Sequence, residues 1–366
     1  MSRKGIIIVS ALAIAAITII VIVLRQPGNQ ETAPPQELTL LCWAGFEERE
    51  VIEPFEKKYN VKVRAKTYGS GDAMFTLLSQ SHSQYDVVVA DQEYVGKLHD
   101  AGRLSELNTA DFDLSDYFAP FQKFPVCWID NKLYAIVVEF GASGLVYNST
   151  HLSEKDVKSY SILDDPRVKG KLGIWDWYLP NMGVLSLGLG NADPFDISES
   201  QFINLKQQMM KIRPQVGAIH STIPEVLSAL ANDQTWVVPG AGEWVAAVLR
   251  KQGKPVDWTV PDEGGLLWVN TLVIPNDAPH SSIAKLFLQW SETAAAQAAL
   301  SQKQAYCSNV PNKRAYELMP EEQKSILKIH NATDAISLLK RLSLRRLPVK
   351  QSEKAWQEAW GDFKAR

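Results

Sequence analysis

Two extended runs govern what this chain can fold into. KLYAIVVEFGASGLVYN (132–148) and LLWVNTLVIP (266–275) are rich in β-branched and aromatic residues, and neither leaves room for a helix. Around them, strand-like and helix-like segments alternate. Before the first run stand ELTLLCW (37–43), VKVRAKTY (61–68) and YDVVVAD (85–91). Helical patterns separate them over about 46–59, with Glu47 and Glu48 in the first turn, and around Met74, Leu77 and Leu78; another runs to about His99 and ends at Gly102. Between the two runs come KLGIWD (171–176), helices near 183–190 and 197–213, GAIHST (217–222), a helix over 223–232, TWVVPG (235–240), a helix over 243–252 and VDWTVP (256–261). The chain closes in helices, one spanning about 280–304 with Ile283, Leu286, Phe287 and Trp290 inward. A βαβαβ series predicts mostly parallel strands covered by helices, an α/β fold. We read the first run as a strand pair leaving one lobe for a second, and the second run as the return. Two crossovers predict a cleft between lobes and a hinge that closes it.

The N-terminus is separate from this pattern. Arg3 and Lys4 precede an apolar run from Gly5 to Leu24, which Arg25 ends. Twenty residues at helical rise reach about 30 Å, the thickness of a hydrocarbon core. No small-x-small cleavage site and no lipoprotein cysteine follows, so the run reads as an uncleaved signal anchor in the inner membrane, with a cleaved signal as the alternative. Bases on its N-terminal side send the remainder outside. QPGNQETAPPQ reads as a tether, so the anchor and tether take residues 1–36.

Charge excludes one class of partner. The chain has 38 Lys and Arg against 41 Asp and Glu; setting aside the three bases and one acid of the first 36 residues leaves 35 against 40, a net −5. Nucleic-acid binding calls for a basic footprint that is absent. No P-loop, GxGxxG, HExxH or paired CxxC is present, and the six histidines are scattered, so the sequence predicts no enzyme, cofactor or metal site. Cys42, Cys127 and Cys307 permit one bridge after export or three buried thiols.

Ligands of open α/β sheets sit outside the carboxyl ends of the strands. The ends here are aromatic and acidic. Trp43 closes the first strand, with Phe46 beyond; Asp91 closes the third, with Glu93 and Tyr94 after it. KLGIWDWY delivers Trp175, Asp176, Trp177 and Tyr178, TWVVPGAGEW delivers Glu243 and Trp244, and the return run carries Trp268 and Asn270. Any one of these tryptophans alone reads as core. Together they predict an aromatic cleft with a few carboxylates, suited to an organic amine by cation–π attraction and charge-assisted hydrogen bonds, or to a stacking sugar or heterocycle.

These residues resemble a known family. LLCWAGFEEREVIEPFEKKYNVKV, YDVVVADQEYVGKLHDAGRL, ILDDPRVKGKLGIWD, PDEGGLLWVNTLVIPNDAP and AYCSNVPN, in that order, are similar to the bacterial periplasmic solute-binding proteins of ABC transporters, spermidine/putrescine group. The resemblance covers the chain from about residue 38 onward. It implies a two-lobed, type II periplasmic-binding fold and a third crossing, with lobe 1 as 37–142 and 269–314 and lobe 2 as 143–268 and 315–366. It implies that Trp43, Tyr94, Trp268 and Tyr306 are cleft aromatics. It also shows departures: Asn270 stands where an aspartate grips a polyamine amine, Pro239 where a cleft tryptophan stands, and Asp176 one place before an acidic cluster that is missing around Trp177–Pro180. Asp91 and Glu93 replace hydroxyl or aromatic groups, and Ala44 a hydroxyl residue. Arg345 and Arg346 read as lining a solvated helix, with a place near a cleft glutamine as the alternative.

The resemblance implies a monomeric receptor that captures a small polar solute, a polyamine or related amine, and docks on an ABC permease and ATPase complex. A membrane-tethered sensor with a signalling partner, or a same-fold binder of a non-polyamine solute, is the alternative.

Overall fold

The computed structural model describes residues 35–365. The expected anchor at residues 5–24 and nearly all of the tether lie outside the described residues. Among the described residues no helix is long and apolar enough to cross a membrane. Glu37–Arg366 form one compact unit.

The strands are β1 (Gln36–Trp43), β2 (Val61–Tyr68), β3 (Val87–Asp91), β4 (Trp128–Ile129), β5 (Lys132–Leu133), β6 (Ile136–Asn148), β7 (Leu172–Trp175), β8 (Val216–His220), β9 (Val237–Ala241), β10 (Val256–Thr259), β11 (Gly265–Val273) and β12 (Leu342–Leu344). Ten of them join in the order β2-β1-β3-β11-β6-β9-β7-β8, with β10 on β6 and β12 on β11. β1 and β3 run parallel, as do β7 with β8 and β9. β6 and β11 lie antiparallel at the centre. The lower half of β11 pairs with β3 and its upper half with β12, while the far end of β6 pairs with β9 and β10. Two strands thus belong to both halves of the sheet, and the fold is a mixed α/β, two-lobed one.

The strand pair expected over 132–148 is uneven: Lys132–Leu133 pairs with β4, while all thirteen residues of Ile136–Asn148 form one fully buried strand that makes the whole crossing. Its glycines do not break it; they admit neighbours. A Cβ on Gly141 would sit 1.7 Å from Glu243 Oε1 and 2.5 Å from the Trp268 ring. The expected helix over 280–304 is two, Ser281–Ser291 and Ala294–Leu300, because Thr293 stops the first and caps the second, its hydroxyl accepting from Ala296 N–H at 3.3 Å. The helix expected near 183–190 runs over Tyr178–Gly188. It is buried on almost every side, so it carries no amphipathic period to betray its start.

The first helix begins at Arg49, not at 46, since Gly45 holds φ at 101° and Glu48 is the extended residue before it. Glu47 and Glu48 therefore lie in the turn. Glu48 accepts the backbone N–H groups of Gln304 and Ala305, each at 2.8 Å. The three cysteines are free and buried. The C-terminal helix Glu353–Lys364 packs beside the second half of the sheet, with Trp356 against Phe195 and Phe202.

Candidate functional site

A cavity of about 50 Å³ opens where the carboxyl ends of β1, β3, β7 and β9 face the β6–β11 pair. Its walls include Trp43, Trp175, Trp177, Trp244, Trp268 and Tyr306. Trp175 and Trp177 have ring centroids 5.1 Å apart, Trp175 and Trp244 5.4 Å, and Trp43 and Trp177 6.3 Å. Trp244 arrives in the first turn of the helix Glu243–Lys251. Trp268 and Asn270 lie two apart on β11 and so share a face, opposite Gly141 and Glu139 of β6.

Asp91, at the end of β3, holds two partners: Trp43 Nε1 donates to Oδ2 at 3.2 Å and Arg345 Nη2 to Oδ1 at 2.7 Å. Arg345 Nε also donates to Glu93 Oε1 at 2.9 Å, and its guanidinium carbon lies 4.5 Å from the Trp177 ring. Arg345 is held there from both sides. Its own N–H donates to Leu267 O at 2.9 Å in extension of the β12–β11 pairing. Gln92 Nε2 donates to Arg345 O at 2.8 Å, while Gln92 Oε1 accepts from Val269 N–H at 2.7 Å. Burial pushes the Glu93 carboxyl up to about 8, with Arg345 pulling it down, and burial likewise raises Asp91. Burial alone would lower Arg345, but Glu93 and Asp91 hold it above its ordinary value. One guanidinium does not offset the desolvation of two carboxylates.

A second buried network lies behind Asn270. Asn270 Nδ2 donates to Glu139 Oε2 at 3.0 Å, as does the Tyr306 hydroxyl at 2.9 Å, and Ser308 Oγ donates to Oε1 at 2.8 Å. Lys303 Nζ pairs with the same carboxylate and lies 4.2 Å from the centre of the Tyr306 ring.

Of the residues predicted from sequence, Trp43, Asp91, Trp177, Trp244, Trp268, Asn270 and Tyr306 line this cavity together. Phe46, Glu93, Tyr94 and Asp176 do not. Phe46 packs under Lys303, Glu93 stands behind Arg345, and Tyr94 is fully buried with its hydroxyl donating to Asp72 Oδ1 at 2.9 Å. Asp176 sits between two inward tryptophans, so strand alternation turns it away. It accepts from Trp360 Nε1 at 2.8 Å and Lys364 Nζ at 2.9 Å. Arg345 corrects the expectation of a solvated helix: it is buried beyond a three-residue strand and lines the cavity, whereas Arg346 is exposed and pairs with Asp193. Sequence reasoning also missed Ser143 and Ile223. Ser143 lies two residues past Gly141 on β6, a spacing that signals the same face; Ile223 opens a helix and carries no such signal. Among the described residues no group of three His, Cys, Asp or Glu side chains converges as metal ligands would.

The family model described as bacterial extracellular solute-binding protein matches residues 50–325. The chain is 28% identical over 249 residues to the spermidine/putrescine-binding periplasmic protein of Escherichia coli (strain K12), covering 65% of this chain and 67% of that one. It is 21% identical over 355 residues to the putrescine/cadaverine-binding protein of Pseudomonas aeruginosa, covering 93% and 96%. The solved structure of the spermidine/putrescine ABC transporter substrate-binding protein from Streptococcus pneumoniae superposes with a TM-score of 0.74 at 21% identity, covering 90% of this chain and 99% of that one.

Proposed function

This chain belongs to the bacterial extracellular solute-binding protein family, and from that premise we propose that it is the periplasmic receptor of an ABC transporter for a polyamine or related organic amine. The observation that carries the reading is the aromatic box around Asp91, at the strand ends of both halves of the sheet. Aromatic faces attract a cation by electrostatics, and the attraction grows as water leaves. Lobe 1 is assigned residues 37–142 and 269–314, and lobe 2 residues 143–268 and 315–366. β6 and β11 then form the hinge about which the lobes close. The closed form, a monomer, presents both lobes to the permease and ATPase complex. Residues 5–24 tether it to the inner membrane.

Six aromatic rings in one cavity make tryptophan emission the natural readout. Titrating the purified full-length chain with diamines, polyamines and N-methylated amines should give a saturating change that neutral sugars do not give. Silence towards every amine at millimolar concentration would overturn the reading. Trp268→Leu removes the π face while keeping an apolar side chain and should weaken amine binding by roughly two- to thirtyfold, the range expected for one cation–π contact. Unchanged affinity in calorimetry would remove Trp268 from the site.

A further inference from the structure

We propose that the amine this cavity selects is a compact N-methylated ammonium bearing a carboxylate, a betaine-type zwitterion, in preference to an α,ω-diamine. The proposal rests on the reading of the site as an amine receptor and narrows its ligand.

The argument is a balance of donors and acceptors. Asp91 is the single carboxylate among the residues lining the cavity, and both its oxygens are already engaged, by Arg345 Nη2 and Trp43 Nε1. The other side-chain acceptors on the walls are neutral: the Asn270 amide and the Ser143 and Tyr306 hydroxyls. A primary ammonium brings three N–H donors that must each find an acceptor once water is excluded, and a diamine brings six. A quaternary ammonium brings none. Its charge is spread over methyl groups, which ring faces satisfy without hydrogen bonds.

Donors, in contrast, are unspent. Arg345 uses Nε and Nη2 on Glu93 and Asp91, and Nη1 has no partner among the described residues. The indole N–H groups of Trp177 and Trp268, both wall residues, are buried and likewise unpartnered. Together, Nη1 and these indole N–H groups offer a ligand carboxylate hydrogen-bond donors that an ammonium cannot use.

Glycine betaine, choline, putrescine and spermidine separate the alternatives when titrated against the full-length chain and read by tryptophan emission and calorimetry. Glycine betaine should bind about tenfold or more tighter than choline, which shares the cation and lacks the carboxylate, and tighter than either polyamine by a similar factor. Arg345→Lys keeps a charge to pair with Asp91 and Glu93 but has no Nη1, and should shrink the betaine-to-choline ratio to within about threefold. Putrescine or spermidine matching glycine betaine would overturn this inference and leave the amine reading standing. Choline equal to glycine betaine would overturn the zwitterion assignment. No response to any of the four would overturn the amine reading itself, and this inference with it.

Discussion

Replacing Arg345 with leucine is expected to destabilise the protein by about 3–5 kcal/mol at neutral pH, the usual cost of leaving buried carboxylates without their cation. Arg345 and its partners Asp91 and Glu93 are all buried, at 4%, 2% and 9% exposure, so water cannot replace the guanidinium. Urea denaturation would show the loss as a lower midpoint. Two further results separate ion pairing from packing. Protonating the two carboxyls removes the uncompensated charge, so the deficit of Arg345→Leu should shrink as pH falls from 8 towards 5. The triple change Asp91→Asn, Glu93→Gln, Arg345→Met should recover most of the lost stability, because neutral groups of similar volume replace the whole triad. A deficit independent of pH would mean that Arg345 supports the fold by shape alone.

The second large effect is at Glu243. Its side chain is fully buried at the start of a helix, and both carboxyl oxygens accept the one backbone N–H of Ala142, at 3.1 and 3.3 Å. No cation pairs with it among the described residues. Burial raises its carboxyl from 4.5 to about 8. The unfolded chain ionises this group above 4.5 while the folded chain keeps the proton until about 8. Stability from this group is therefore full below 4.5 and is lost as pH rises to about 8. The linkage amounts to about 5 kcal/mol as an upper bound, since each pH unit across that window is worth roughly 1.4 kcal/mol. Glu243→Gln keeps an acceptor for Ala142 and carries no charge. The variant should match the wild type near pH 4 and exceed it by a few kcal/mol at pH 8. An equal margin at both pH values would show that Glu243 ionises normally. The residue borders the site, because its carboxyl and the Trp268 ring both occupy the space that Gly141 leaves open.

Much of the scaffold was legible before any coordinates. Strands such as Val61–Tyr68 alternate, helices such as Arg49–Tyr59 carry an apolar stripe, and both signals are local. The signals failed where burial was uniform. Tyr178–Gly188 has no polar face, and Ile136–Asn148 has no exposed residue to mark which half of the sheet it serves. Thr293 as an internal cap was readable in principle, but the apolar pattern over 280–304 masked it.

The site divides in the same way. That Trp43, Asp91, Trp177, Trp244 and Trp268 stand at strand ends or on a crossover follows from local pattern, and so their convergence could be anticipated. The sequence alone also determined the α/β class and the two crossings between lobes, because side-chain period and strand length are properties of short segments. Only the tertiary structure decided which side chains face the cavity and what charge they leave there. Asp176 turns outward to Trp360 and Lys364, and Arg345 reaches Asp91 across 254 residues because β12 lies beside β11. An ion pair between segments so distant depends on which strands become neighbours, and no local period encodes that choice.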